Sequence, residues 1–531
     1  MSKLFFSARW PQALFFFMVL NLSVVKANEY DTRFEPDVVF YGDDGVKIAG
    51  NVFLPVPKTI NEKFPAIVFV NSWSLDENEY LVQAKRFAKE GFIVLSYSAR
   101  GWGESGGLVN VGGPQDMQDF SSAVDWLMTH TPADENNLGA AGISYGGGMS
   151  LLAAANDDRV KAVASMSGWA DLLEALYGGE SADLVWGSLL VGSGYLTGNM
   201  DPIILQQFQN ILTNNDIEQV RDWARLRSPM TFIDEYNQRG TAIYISNNLR
   251  DELFEPNSMV DFYEALETPK KLDLNLGNHA TTELVGLIGL RSHIWDNVHD
   301  WFKLHLQAED INLEPAVSIA IKFTEERDNF SSWPSADIET KTFHLGARNW
   351  FFNGSLRDSP YTYNDSNHFH SGYWSGANAG THVLSSILEA YVDIHIYNII
   401  YFMSRDLAIV YQGERLSSEM SIRGAPELDL WIKPSRSEAQ VIAYLYDVDA
   451  WGNGKLISHA PIAVRDVEPN QPLQVNLSLY FTAYDVPAGH SLALALDTHD
   501  AQYAPPTLQS YEINIPYGVG FDSQLTLPFV K

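Results

Sequence analysis

Between residues 138 and 155 a run of small apolar residues passes through the turn Gly142-Ile143-Ser144-Tyr145-Gly146 and continues into Gly147-Gly148-Met149-Ser150-Leu151-Leu152. A β-rich run that ends in Gly-x-Ser-x-Gly and opens at once into a helix constrains the fold more than any other feature of the chain. The serine must occupy a strained strand-to-helix turn, and glycine is needed at the flanking positions because neighbouring backbone comes too close for a Cβ. Turns of this kind are built into doubly wound α/β layers.

The surrounding pattern agrees. Short β-rich runs at 66–70, 92–95, 138–142, 160–166, 242–246 and 272–276 alternate with amphipathic segments at 80–89, 117–128 and 145–155. That alternation is the mark of a mostly parallel sheet covered by helices. It fails over 169–236, where helical pieces at 205–211 and 217–226 follow the glycine breaks Gly178-Gly179 and Gly192-Ser193-Gly194; an inserted helical cap is expected there. The α/β layer therefore spans 28–168 and 237–310. From 311 to 531 many short alternating runs, among them 428–432, 441–445, 473–479 and 492–496, are punctuated by Gly, Pro and Asn and predict a β-sandwich of the jelly-roll kind.

Composition narrows the function. A chain of 531 residues exceeds one compact core, and 46% hydrophobic residues exclude a disordered one. Cysteine is absent, so disulfides and thiol catalysis are excluded. The formal charge of −31 disfavours nucleic acid and anionic membrane surfaces as partners. Lys3 and Arg9, an apolar run at 13–20 and Val25-Lys26-Ala27 resemble a secretory leader, with cleavage expected after Ala27 and export to the periplasm or exterior. No later stretch is long and apolar enough for membrane insertion. Oligomeric state is not legible.

A serine hydroxyl is a weak nucleophile at neutral pH and needs a histidine base held in one tautomer by a carboxylate. In this fold the chain order is serine, acid, histidine. The run 242–246 leads into Asn247-Asn248-Leu249-Arg250-Asp251, which makes Asp251 the candidate acid, with Glu252 and Glu255 as rivals. The run 272–276 leads into Gly277-Asn278-His279, and a histidine just past a strand's carboxyl end lies on the face where Ser144 emerges. His293, His299 and His305 fall in the next helix and read as structural. Charge developing on an attacked carbonyl needs fixed donors. One is the backbone N–H of Tyr145; the second is expected from the loop Asn71-Ser72-Trp73-Ser74, through the backbone or the indole N–H of Trp73. This chemistry calls for no metal or organic cofactor.

These residues carry a family resemblance. With Ser98-Ala99-Arg100-Gly101-Trp102-Gly103-Glu104-Ser105-Gly106-Gly107, Asp116, Asp119 and Asp125-Trp126-Leu127 ahead of the turn, the chain resembles the Xaa-Pro dipeptidyl-peptidase and cocaine esterase group of α/β-hydrolases. Leu445-Tyr446-Asp447-Val448-Asp449, Ala483-Tyr484-Asp485-Val486-Pro487-Ala488-Gly489-His490 and Ser523-Gln524-Leu525-Thr526-Leu527-Pro528 are similar to that group's jelly-roll domain. The resemblance implies a cap over the site and a jelly roll buttressing the catalytic layer. Some members place a tyrosine after the third strand to complete the oxyanion hole; Trp73 takes that place here, with Tyr80 a possible substitute.

The resemblance also implies a small ester or a short peptide as substrate. A dipeptidyl-peptidase must bind a free amine, and Asp171, Glu174 and Glu180 are the carboxylates available in the cap; the length left after cleavage favours the esterase branch. A reading from another class is a catalytically silent protein whose jelly roll binds carbohydrate or cell wall, disfavoured because all three triad candidates are present. Weaker motifs read as structural. Asp447 to Gly454 has calcium-loop spacing but fits a hairpin, His368-Phe369-His370 reads as a loop, and Asn329, Asn353, Asn364 and Asn476 head Asn-x-Ser sequences.

Overall fold

The computed structural model describes residues 29–348, 353–380 and 396–531, so the expected leader lies outside it. The chain opens with β1 (Thr32–Tyr41), β2 (Lys47–Pro55), β3 (Phe64–Val70), β4 (Ile93–Tyr97), β5 (Ala133–Ile143) and β6 (Val160–Met166). Helices α1 (Leu81–Lys89), α2 (Pro114–His130) and α3 (Tyr145–Asn156) lie between them. A cap follows, made of α4 (Leu172–Tyr177), the two-residue strand β7 (Ala182–Asp183), α5 (Leu184–Thr197), α6 (Pro202–Thr213), α7 (Ile217–Arg225) and α8 (Ile233–Arg239). The layer resumes with β8 (Ala242–Asn248), α9 (Pro256–Ala265), β9 (Lys270–Asn275), α10 (Thr281–Leu287) and α11 (His293–Leu306), and ends with β10 (Val317–Ala320) and β11 (Arg327–Phe330).

Among the described residues these strands form one ten-stranded sheet in the order β1-β2-β4-β3-β5-β6-β8-β9-β10-β11, parallel from β4 through β10. Side chains alternate between its faces. Val68 points into the core made with Phe120, Val124 and Leu127 of α2, whereas Ile67 and Phe69 meet Phe87 of α1 and Trp295 and Phe302 of α11. Both faces are covered, which is why these strands read as continuous apolar runs. From β3 the chain moves first to β4 on one side and then to β5 on the other, so a crevice opens at the carboxyl ends of β3 and β5, where such sheets bind ligands.

Past residue 310 the chain does not enter the sandwich at once, as had been expected. β10 pairs with β9 in parallel register and β11 closes the hairpin, so the first sheet extends to Phe330. The physical reason is the apolar edge of β9, with Leu272 and Leu274 buried, which would otherwise present unpaired backbone groups. Beyond it the described strands form a β-sandwich around Leu428, Leu430, Val441, Ala443 and Leu445. The strand Ala439–Val448 is buried along its whole length, with Ile442, Tyr444 and Tyr446 packed on its other face. Asp447 to Gly454 closes the hairpin between this strand and Asn453–Val464. His368-Phe369-His370, read as a loop, lies instead in the strand Asp365–His370, because Phe369 is drawn into the sandwich core. The sandwich also touches the cap: Tyr503 and Ala504 pair with β7, and Leu184 N–H donates to the carbonyl of Gln502 at 3.0 Å.

Candidate active site

Ser144 stands between β5 and α3 with φ 56° and ψ −117°, a strained conformation for a residue with a side chain. Its amide donates to the Met166 carbonyl at 2.8 Å, and the Ile143 amide donates to the Tyr80 hydroxyl at 2.9 Å. The glycines are obligatory on steric grounds. A Cβ on Gly142 would lie 2.5 Å from the Gly146 carbonyl carbon, and one on Gly146 would lie 2.1 Å from the Val70 oxygen.

The structure brings Ser144, His279 and Asp251 together. Ser144 Oγ lies 2.7 Å from His279 Nε2, and His279 Nδ1 lies 2.9 and 3.1 Å from the two Asp251 oxygens. A carboxylate only accepts, so Nδ1 carries the proton and Nε2 is left free to take one from the serine. Asp251 is itself held, accepting from the amides of Leu253 at 3.1 Å and Phe254 at 2.9 Å. The imidazole packs edge-on against Trp186 and Phe254, with centroids 5.6 and 5.1 Å away. The rivals for the acid go elsewhere: Glu252 pairs with Arg250 at 3.0 Å, and Glu255 is buried at the start of α9. His299 stacks on Phe87 and bonds to Glu90, and burial pulls its pKa down to about 4. His293 and His305 also bond or stack within the layer.

The two oxyanion candidates border the same cavity as Ser144. Tyr145 is the first residue of α3, so its amide has no acceptor within the helix. The indole N–H of Trp73 donates to the Leu190 carbonyl of α5 at 3.1 Å and so ties the loop to the cap. The backbone N–H meets no main-chain acceptor among the described residues. Tyr80 is not a substitute, because its hydroxyl lies wholly buried beneath the turn.

Sequence reasoning missed the supports. Glu79 accepts from both the amide and the hydroxyl of Ser72, each at 2.7 Å, and so fixes the loop carrying Trp73; burial pushes its pKa up to about 7. Arg100 and Asp119 form a buried two-pronged ion pair at 2.7 and 2.9 Å that anchors the loop after β4, where Trp102 packs 4.7 Å from Trp73. Ion pairing across the chain leaves no local spacing signal. The cavity holds about 90 Å³ and is partly open to solvent. Its floor is Trp73, Ser144, Tyr145 and Trp169, and its walls come from α4 to α7. Apart from Ser144, Tyr145 and Gln207 the lining is hydrocarbon, indole or glycine. The cap carboxylates lie outside it. Asp171 caps α4 through the amides of Leu173 and Glu174, and Glu180 pairs with Arg221. Glu174 faces a second cavity with Glu255, and burial raises its pKa to about 6.

A doubly wound sheet with a serine on this turn at its switch point defines an α/β-hydrolase. Residues 44–281 match the model of the X-Pro dipeptidyl-peptidase (S15 family), and residues 310–518 match that of the X-Pro dipeptidyl-peptidase C-terminal non-catalytic domain. The chain therefore carries, in order, a hydrolase domain and a C-terminal domain of this family's type. A CocE/NonD family hydrolase from Staphylococcus aureus superposes with a TM-score of 0.72 at 14% identity, over 94% of each chain. An α-amino acid ester hydrolase superposes with a TM-score of 0.69 at 16% identity, over 98% of this chain and all of the other. Among curated sequences, an uncharacterized protein of Pseudomonas aeruginosa is 32% identical over 153 residues, 27% of this chain and 41% of that one. The chain thus spans about two fifths of the length of such curated relatives.

Proposed function

We propose that the protein hydrolyses an ester or amide with an apolar acyl group, through an acyl-enzyme on Ser144. Ser144 Oγ attacks the carbonyl as its proton passes to His279 Nε2, and Asp251 stabilises the imidazolium that forms. The amides of Tyr145 and Trp73 receive the oxyanion. Collapse expels the alcohol or amine, which takes the proton from His279, and water repeats the sequence to release the acid. The observation that carries this substrate class is the lining of the Ser144 cavity, which holds no carboxylate and suits a hydrocarbon chain.

One observation supports a second reading, Xaa-Pro dipeptide release. Glu174 and the buried Glu255 both line the second cavity, and burial together with the charge of Glu174 raises the pKa of Glu255, a pairing that a positive group such as a free amine would relieve. Turnover of short acyl p-nitrophenyl esters is to be compared with that of a Xaa-Pro p-nitroanilide, with its amine free and acylated. The esters are expected to give the higher kcat/KM. A preference for the anilide that vanishes on acylating the amine would replace the first reading by the second.

A further inference from the structure

Helix α6 presents Ile204, Gln207, Phe208 and Ile211 to the Ser144 cavity, the i, i+3, i+4, i+7 spacing of one helix face. Three of these are apolar and one is a carboxamide. Gln207 is only 4% exposed, and its side-chain oxygen is buried without a hydrogen-bond partner. Leaving such a group unpaired costs stability, and a leucine of similar volume would fill the same wall without that cost. The helix start is already capped by Asp201, and the other α6 residues that line the cavity, Ile204, Phe208 and Ile211, are hydrocarbon; Asn210, one turn on, also buries its side-chain nitrogen without a partner. Gln207 Oε1 is thus free to accept from a group that enters the cavity.

We infer that Gln207 selects substrates whose apolar acyl chain carries one hydrogen-bonding substituent, a hydroxyl or secondary amide, where the chain meets the cap. The inference rests on the acyl-transfer reading above. A carboxamide can present either its oxygen or its NH2 by turning about its last bond, and a hydroxyl or secondary amide can answer both. Sites built around a buried polar group reject analogues that lack the partner, because the group is then left unpaired in the complex. Gln207 is thus a specificity residue for the acyl chain and takes no part in the bond-making at Ser144.

The test uses the full-length protein and p-nitrophenyl esters of straight-chain acids of about four to ten carbons, each paired with its ω-hydroxy counterpart. In the unaltered protein one chain length is expected at which the hydroxyacyl ester has about tenfold higher kcat/KM, the worth of one neutral hydrogen bond. In Gln207→Leu that ratio is expected to fall to one or below, with the unsubstituted ester turned over faster than before. Fluorophosphonate labelling of Gln207→Leu shows whether the site still assembles. A hydroxyl ratio that is the same in both proteins at every length overturns the role of Gln207 alone. Failure of the unaltered protein to hydrolyse either series overturns the acyl-transfer reading, and the inference with it.

Discussion

His279→Ala is expected to lower kcat on an acyl ester about 10⁴-fold or more while KM changes only a few-fold. The effect follows from geometry: the imidazole is the sole base within reach of Ser144 Oγ among the described residues, at 2.7 Å, and a neutral serine hydroxyl hardly attacks a carbonyl unaided. Asp251→Asn should cost a similar factor by a different route. An amide in place of the carboxylate turns a donor toward Nδ1, favours the other tautomer, and leaves Nε2 protonated when it should accept. Steady-state kinetics checks both. A His279→Ala protein within tenfold of the parent would mean that the base lies elsewhere, and an unshifted melting temperature would show that the loss is chemical.

Gly146→Ala carries the largest expected effect on folding. In an ordinary helix this exchange stabilises by about 1 kcal/mol. Here the added Cβ would lie 2.1 Å from the Val70 oxygen and 3.0 Å from its carbonyl carbon, both fixed main-chain atoms of β3. Either α3 retreats from the sheet or the turn at Ser144 distorts, and the expected cost is about 3 kcal/mol. Gly192→Ala in α5 is the matched control, since open space surrounds its Cβ position and helix propensity alone should govern it. Thermal unfolding of the two variants measures the contrast. A Gly146→Ala protein that melts with the parent and keeps its activity would show that the tight approach of α3 to β3 is not required.

The layer was legible because its signals are local. Period and length marked the strands, the turn at Ser144 carried its own glycine signature, and Asp251 and His279 follow β8 and β9 and come within hydrogen-bond reach of each other. Signals that depend on distant partners were not legible. Gly192-Ser193-Gly194 read as a break but lies inside α5, because Gly194 lets the helix close on Met200 and Trp73, where a Cβ would meet atoms at 2.6 to 2.9 Å. The bond of the Trp73 indole to the Leu190 carbonyl, 117 residues away, left no signal in the local sequence. Glu79 and Gln207 left no trace, since nothing in their local sequence separates a support or a cavity amide from a solvated side chain.

The central claim is that Ser144 is the nucleophile. The most direct measurement is covalent labelling of the intact protein by a fluorophosphonate, with the modified residue located by peptide mass spectrometry. The expected result is a single adduct on Ser144 that is absent from Ser144→Ala. Undiminished labelling of Ser144→Ala, or an adduct on another residue, would contradict it.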